Sequence, residues 1–359
     1  MTYPHFDRDR LRIRPLRDRA NKLRIADMHV LPTAAPRDLS GAQRATIAET
    51  AARIRAARAA DRPVILAFGA HAIKNGLGPV LINLIEAGHV THLATNGAGV
   101  IHDWEFAFQG ESSEDVRENV ARGQFGIWEE TGRYINLALA VGAWEGRGYG
   151  DSVGAMIERD GLLLPDLAQL EPGDGAARDL AAYMQRFSLS PGPLRIPHPA
   201  KQYSVQAAAH RLGVPFTSHP MFGHDIIYCH PMSHGAAIGR TAERDFLSFA
   251  NSVNDLEGGV YLSVGSAVMS PMIFEKSLSM AQNVQLQAGA RIENHFMVVV
   301  DLADAPWDWQ RDGEPPPEHP AYYLRYCKTF NRMGGTMRYL SADNRDFLLL
   351  LTQALEVTS

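Results

Sequence analysis

What most limits how this chain can fold is an alternation of two patterns. Short apolar runs of strand length give way, again and again, to stretches with helical spacing. PVILAFGA (63–70) is followed by GPVLINLIEAG (78–88), with Pro79 placed for a helix's first turn, and VTHLATNGAG (90–99) comes next. A helical stretch then begins after the cap-like Ser112-Ser113-Glu114-Asp115 and continues through the pattern 125–141. Later strands are expected at 215–218, 226–229, 258–268 (GGVYLSVGSAV), 295–301 and 336–341. The helical patterns among them cover 204–212, 242–256, 270–284 and 344–357. Strands separated by helices of about ten residues cannot pair as tight hairpins; they join by crossovers into a parallel sheet. The expected fold class is therefore α/β: a doubly wound, mostly parallel sheet with helices on both faces.

At 359 residues a sheet covered on both faces can bury the chain in one core. Residues 1–60 are expected to form an N-terminal extension ending in a helix (39–58) broken before Pro63, and 61–359 a single α/β domain. The Pro- and Gly-rich stretch 171–199 reads as a long surface connection.

A formal charge of −5 gives no footprint for a nucleic-acid partner. The Arg-rich run Arg8–Arg24 could be a nucleic-acid arm, but suits a solvated or intersubunit face better. Two cysteines, Cys229 and Cys327, allow neither a disulfide framework nor a CxxC motif. With no apolar leader at the N-terminus and no run of eighteen apolar residues, the expectation is a cytoplasmic protein without a membrane partner.

In a parallel sheet, ligands gather beyond the carboxyl ends of strands, where glycine lets backbone approach a phosphate or ribose. Small residues stand at three such points: Gly69-Ala70-His71, Thr95-Asn96-Gly97 and Gly265-Ser266. Each could be a tight turn and nothing more; together they favour a nucleotide site, although no GxGxxG or GxxxxGK string occurs. Gly150-Asp151-Ser152-Val153-Gly154 matches the GxSxG of a nucleophile elbow, but 144–149 supplies no strand before the serine. His219, His224, His230 and His234, with Asp225 nearby, match no metal-ligand spacing, so no metal is expected and one of His224, His230 and His234 is a candidate proton carrier. Asp301, Asp304 and Asp308 lie near Trp307, Trp309, Tyr322, Tyr323 and Tyr326, with Lys328 just beyond. Carboxylates with aromatic walls suit a cationic amine, and a desolvated lysine there could attack a carbonyl or imine; an ordinary solvated loop has the same composition.

These blocks, taken in order, resemble a known family. The run 69–108 (GAHAIKNGLGPVLINLIEAGHVTHLATNGAGVIHDWEFAF), HPMSHGAAIG (230–239), GGVYLSVGSAV and MRYLSADNRDFLLLL (337–351) are similar to successive segments of deoxyhypusine synthases. The resemblance implies an NAD-binding fold, a homotetramer and NAD-dependent chemistry on a small amine or polyamine, with aminoalkyl transfer through a lysine imine. It assigns NAD contacts to Gly69, Ala70, His71, Thr95, Asn96, Gly97, Glu105 or Asp103, Gly265, Ser266 and Asp343, and the nucleophile to Lys328. Tyr326-Cys327 stand where the family has Trp-Gly. Two alternatives stay open: a non-catalytic nucleotide-binding sensor or structural oligomer, and a serine hydrolase using Ser152.

Overall fold

The computed structural model describes residues 3–37, 39–171, 173–304 and 306–356. Six strands form its main sheet: β1 (Val64–Phe68), β2 (His92–Thr95), β3 (Phe216–Ser218), β4 (Val260–Val264), β5 (Phe296–Asp301) and β6 (Thr336–Ser341). All neighbours are parallel and the spatial order is β3-β2-β1-β4-β5-β6. The chain thus builds outward from β1 in one direction, then restarts beside β1 and builds outward in the other, which opens a crevice between the carboxyl ends of β1 and β4.

Why both faces are covered follows from the strands' side chains. Alternate residues point to opposite faces, so a strand apolar throughout must be buried twice. Leu66, Phe68, Leu93, Leu262, Val298 and Val300 join one core with α1 (Gly41–Ala59), α2 (Ala70–Lys74), α3 (Gly78–Glu86), α4 (Gly97–Gln109), α5 (Glu129–Trp144), α6 (Tyr149–Glu158) and α7 (Val205–Leu212). Ile65, Ala67, Ala94, Tyr261, Met297 and Val299 join the other with α8 (Gly235–Asn254), α9 (Met269–Gln287) and α10 (Arg325–Asn331). The last helix, α11 (Asn344–Glu356), returns to the first face beside α1. The residue that closes the expected helix, Val357, lies outside the described residues.

Local signals set the helix ends. Ser40 and Gln43 form a reciprocal capping box at α1. His234 accepts from the Ala237 amide and starts α8 seven residues before the periodicity alone suggests. Leu16, Ile25, Ile47 and Ile54 enter the same core as the strands, so the N-terminal extension is packed onto the domain.

Two expectations are corrected. The segment Ile226–Cys229 is a 3-10 turn, not a strand: Asn136 donates to the Ile227 carbonyl at 3.0 Å, where a sheet would need a ladder partner. The cap expected in Ser112–Asp115 is made by Asp115, at the start of the helix Val116–Ala121, while Ser112 pairs with Leu23 in a short antiparallel ribbon. The stretch 171–199 is not a bare connection; it holds a helix, Gly175–Arg186, capped by Asp174, and a strand, Gly192–Arg195, antiparallel to Gly161–Leu164. Among the described residues no helix is long and apolar enough to cross a membrane.

Candidate functional site

The turns after β1 and β4 meet where the sheet order reverses. The Gly69 amide donates to Val264 at 3.1 Å, and a Cβ on Gly69 would overlap the Gly265 carbonyl oxygen. Gly265 itself has φ +59°, and a Cβ there would run into the Asn344 side chain. Both positions therefore require glycine, because the two turns pack against each other and against Asn344. Ser266 is buried, and its Oγ accepts from the Ser270 amide at 3.2 Å in the first turn of α9. Ala70 is half-buried and His71 exposed at the start of α2.

One strand over, the predicted polar residues serve the fold itself. Thr95 Oγ1 donates to the Phe68 carbonyl at 2.9 Å, tying β2 to β1, and Asn96 caps α4 by accepting from the Gly99 amide at 2.9 Å. At Gly97 a Cβ would overlap the carboxyl group of Asp225. An acid thus occupies the positive end of α4.

Asp225, which the sequence marks only as a neighbour of the histidine group, is a central residue of this region. It is 9% exposed, and its Oδ2 has no hydrogen-bond partner. Burial pushes its carboxyl up to about 7, so near neutrality it exchanges its proton readily. Two more orphaned polar atoms stand in its electrostatic neighbourhood, the Tyr149 and Tyr228 hydroxyls. Asp225 also lines a cavity of about 190 Å3 with Arg19, Lys74, His102, Glu105 and His224 among its walls. The signal in the sequence was an acid set directly before the apolar pair Ile226-Ile227, which asks for burial of its neighbour.

Glu105 and Asp103, the two candidates for an NAD-contacting acid, are both satisfied internally. Asp103 is buried and accepts from Ser204 Oγ at 2.6 Å, the Val205 amide at 2.9 Å and Gln206 Nε2 at 2.9 Å, capping α7. Its carboxylate oxygens are thus engaged within the protein. Glu105 forms a two-pronged pair with Arg19 at 2.8 and 2.7 Å; against the upward push of burial, that guanidinium holds its carboxyl below the usual range. Glu105 lines the cavity, but as the anchor of a buried ion pair. The Arg-rich N-terminal run is thereby corrected in part, since Arg19 is a core residue and not part of a solvated face. Asp343 accepts from the Arg345 amide and from Arg37, each at 2.8 Å, beyond β6.

The histidines go to separate places. His224 is exposed at the cavity rim; His230 is buried against Glu129 at 3.3 Å; His234 caps α8. His219 lies beside Thr217 Oγ1 at 3.0 Å, held down to about 3 by burial. Of the three candidate proton carriers His224 alone lines this cavity.

The acidic, aromatic segment after β5 does not form an enclosed pocket with Lys328. Asp301 accepts from the Ala303 amide at 3.2 Å, Asp304 is exposed, and Asp308 caps the short helix Trp309–Asp312. Tyr326 packs against Tyr339 with ring centroids 6.4 Å apart. The Lys328 ammonium sits 3.6 Å from the centroid of Tyr322, a cation–π contact. Its other partners, Leu324, Arg332 and Glu314, come from the same segment, and none of the strand-end turns is among them. Ser152 is no nucleophile elbow: it lies inside α6 and donates to the Gly148 carbonyl at 2.5 Å, with no strand leading to it.

No family model matches this chain, and no curated protein matches it. Solved structures with some likeness include unliganded AgrE, at 17% identity and a TM-score of 0.48, covering 89% of this chain and 34% of that one. AgrE has also been solved as a ternary complex with ornithine and NAD+, at 16% identity and a TM-score of 0.46. A conserved LOR/SDH-designated protein from Methanococcus maripaludis S2 covers 91% of this chain and 73% of its own, at 12% identity and 0.47. A protein from Entamoeba histolytica designated deoxyhypusine synthase covers 88% of each chain, at 12% identity and 0.42. This chain spans about a third of the AgrE chain. Likeness of this degree assigns no residue a role.

Proposed function

We propose that this chain is an NAD-dependent enzyme acting on a small amine, with the dinucleotide across the ends of β1 and β4 and the amine's ammonium group against Asp225. The observation that carries the reading is the buried, unpartnered Asp225 carboxyl over Gly97, at the end of the strand that neighbours the one leading into Gly69. NAD, when bound, supplies a hydride acceptor for the carbon next to the amine nitrogen.

What the chain's own residues do follows from desolvation. Without a cation nearby, Asp225 keeps its proton to about pH 7. An arriving ammonium provides the missing positive charge, draws the carboxyl back to its ionised form and so releases a proton on binding. The Arg19–Glu105 pair closes the inner wall without presenting a free charge. Asp225 takes the place given to Asp301, Asp304 and Asp308 in the sequence reading, and membership of the deoxyhypusine synthase superfamily, as a homotetramer, belongs to the same proposal.

Calorimetry with NAD, then with 1,4-diaminobutane, spermidine and ornithine on the NAD-loaded protein, tests this while reduced-nicotinamide absorbance is followed. Binding of both partners with proton release, lost in Asp225→Asn, is the expected result. NAD binding with no amine response across the panel would reduce the chain to a nucleotide-binding module, and no NAD binding would end the proposal.

A further inference from the structure

The cavity beside α4 contains one ionisable group that the reading above leaves unused, and the hydrogen bonds around it determine which of its ring nitrogens carries the proton. Glu105 receives Arg19 on both carboxylate oxygens, Thr131 Oγ1 at 2.9 Å and Ser112 Oγ at 2.5 Å. An ionised carboxylate can only accept, so the single hydroxyl proton of Ser112 points to Glu105. The same Ser112 Oγ lies 2.7 Å from His102 Nδ1. With its proton committed, Ser112 can only accept there, and His102 Nδ1 must be the N–H. On a neutral imidazole this leaves Nε2 bare.

The ring stays neutral for a separate reason. Burial holds His102 down to about 4; Glu105 opposes that, and Lys74, Arg19 and His71 reinforce it. Asp225, His224 and Glu114 complete the charged or titratable groups of the cavity that His102 lines. His102 Nε2 has no hydrogen-bond partner among the described residues, yet it is not among the sealed, unpartnered atoms, so it remains open to the cavity.

We infer that His102 is a specificity-determining acceptor. The Glu105–Ser112 relay presents its bare Nε2 to the cavity, where it selects a ligand bearing an N–H donor and disfavours one presenting a carbonyl or carboxylate oxygen. Resting on the amine reading, this assigns Asp225 and His102 to two hydrogens of the same ammonium group, one by charge and one by direction. Ser112 and Glu105 are positioning residues that act through the imidazole. The assignment needs no titration of His102 between pH 5.5 and 8, because the acceptor is the same lone pair throughout.

Long-range proton–nitrogen correlation NMR on the histidine-labelled full chain reads the tautomer directly. The expected pattern for His102 is protonated Nδ1 and bare Nε2 across that pH range, collapsing to a mixture in Ser112→Ala. Calorimetry with 1,4-diaminobutane on NAD-loaded protein should then show affinity falling roughly tenfold in Ser112→Ala and in His102→Phe, about the worth of one hydrogen bond to a charged group. Partial recovery in His102→Gln and an unchanged NAD affinity are expected alongside. An Nε2–H pattern, or full diamine affinity in both Ser112→Ala and His102→Phe, overturns the inference. Should wild-type protein fail to bind NAD, the proposed function fails by itself. Diamine binding to the unloaded chain, dependent on Ser112 or not, then still decides the acceptor role.

Discussion

The turns that end β1, β2 and β4 and the segment that follows β5 all leave the carboxyl edge of the sheet with polar side chains, but those side chains face different surroundings. Around the first three, glycine backbones touch and one carboxyl, Asp225, is shut away from water without a partner. After β5, Asp304 and Asp308 stand in solvent, Asp301 accepts from its own loop, and Lys328 lies on Tyr322. Residue type is similar in the two regions; desolvation is not. Burial moves the proton affinity of the Asp225 carboxyl into the neutral range, and a desolvated carboxyl gains much from a bound cation.

The largest test of that contrast removes the charge partner inside the cavity wall. Arg19→Ala strands Glu105 in the core and should cost about 3–5 kcal/mol in denaturant unfolding, the range for breaking a buried pair. Asp304→Asn, in solvent, should stay within about 0.5 kcal/mol. A similar loss in both would erase the distinction.

Next in size is the pH dependence of Asp225. Its folded value, about 7, lies above the ordinary 3.8, so the folded state keeps a proton that the unfolded chain releases. Stability contributed by this group is complete below pH 4 and declines as pH rises toward 7, by up to about 1.4 kcal/mol per unit. Unfolding curves between pH 4 and 8 should show that slope in the wild type and a shallower one in Asp225→Asn. Equal slopes would place the carboxyl in contact with water.

Smaller effects are expected where side chains face outward or only complete a helix turn. Lys328→Met should leave NAD affinity unchanged and alter stability by no more than about 1 kcal/mol, the upper end for an exposed cation–π contact. Borohydride treatment with NAD and a diamine should trap no adduct at Lys328; a trapped adduct would restore the lysine imine and move the chemistry to the segment after β5. Ser152→Ala should cost about 1 kcal/mol or less through its bond to Gly148 and leave any turnover intact. Loss of turnover there would reopen the hydrolase.

The strands and most helices were legible because their signals are local. Val64–Phe68 is apolar at every position and Val260–Val264 at all but Ser263, and the turn residues around Thr336–Ser341 mark its bounds. Gly69 and Gly265 were legible as turns, though that they touch depended on the strand order. Ile226–Cys229 misled because an apolar run reads alike as strand or buried turn until its hydrogen-bond partners are known.

By itself, then, the amino-acid sequence determined a parallel, doubly covered sheet with small residues at its strand ends, because periodicity and turn chemistry act over a few neighbouring positions. Only the tertiary structure decided which ionisable groups matter. Arg19 meets Glu105 across 86 residues, Asp225 closes over Gly97, and Lys328 stays on Tyr322. Proton affinity and charge strength depend on how much water is excluded, and that exclusion is produced jointly by segments far apart in the chain.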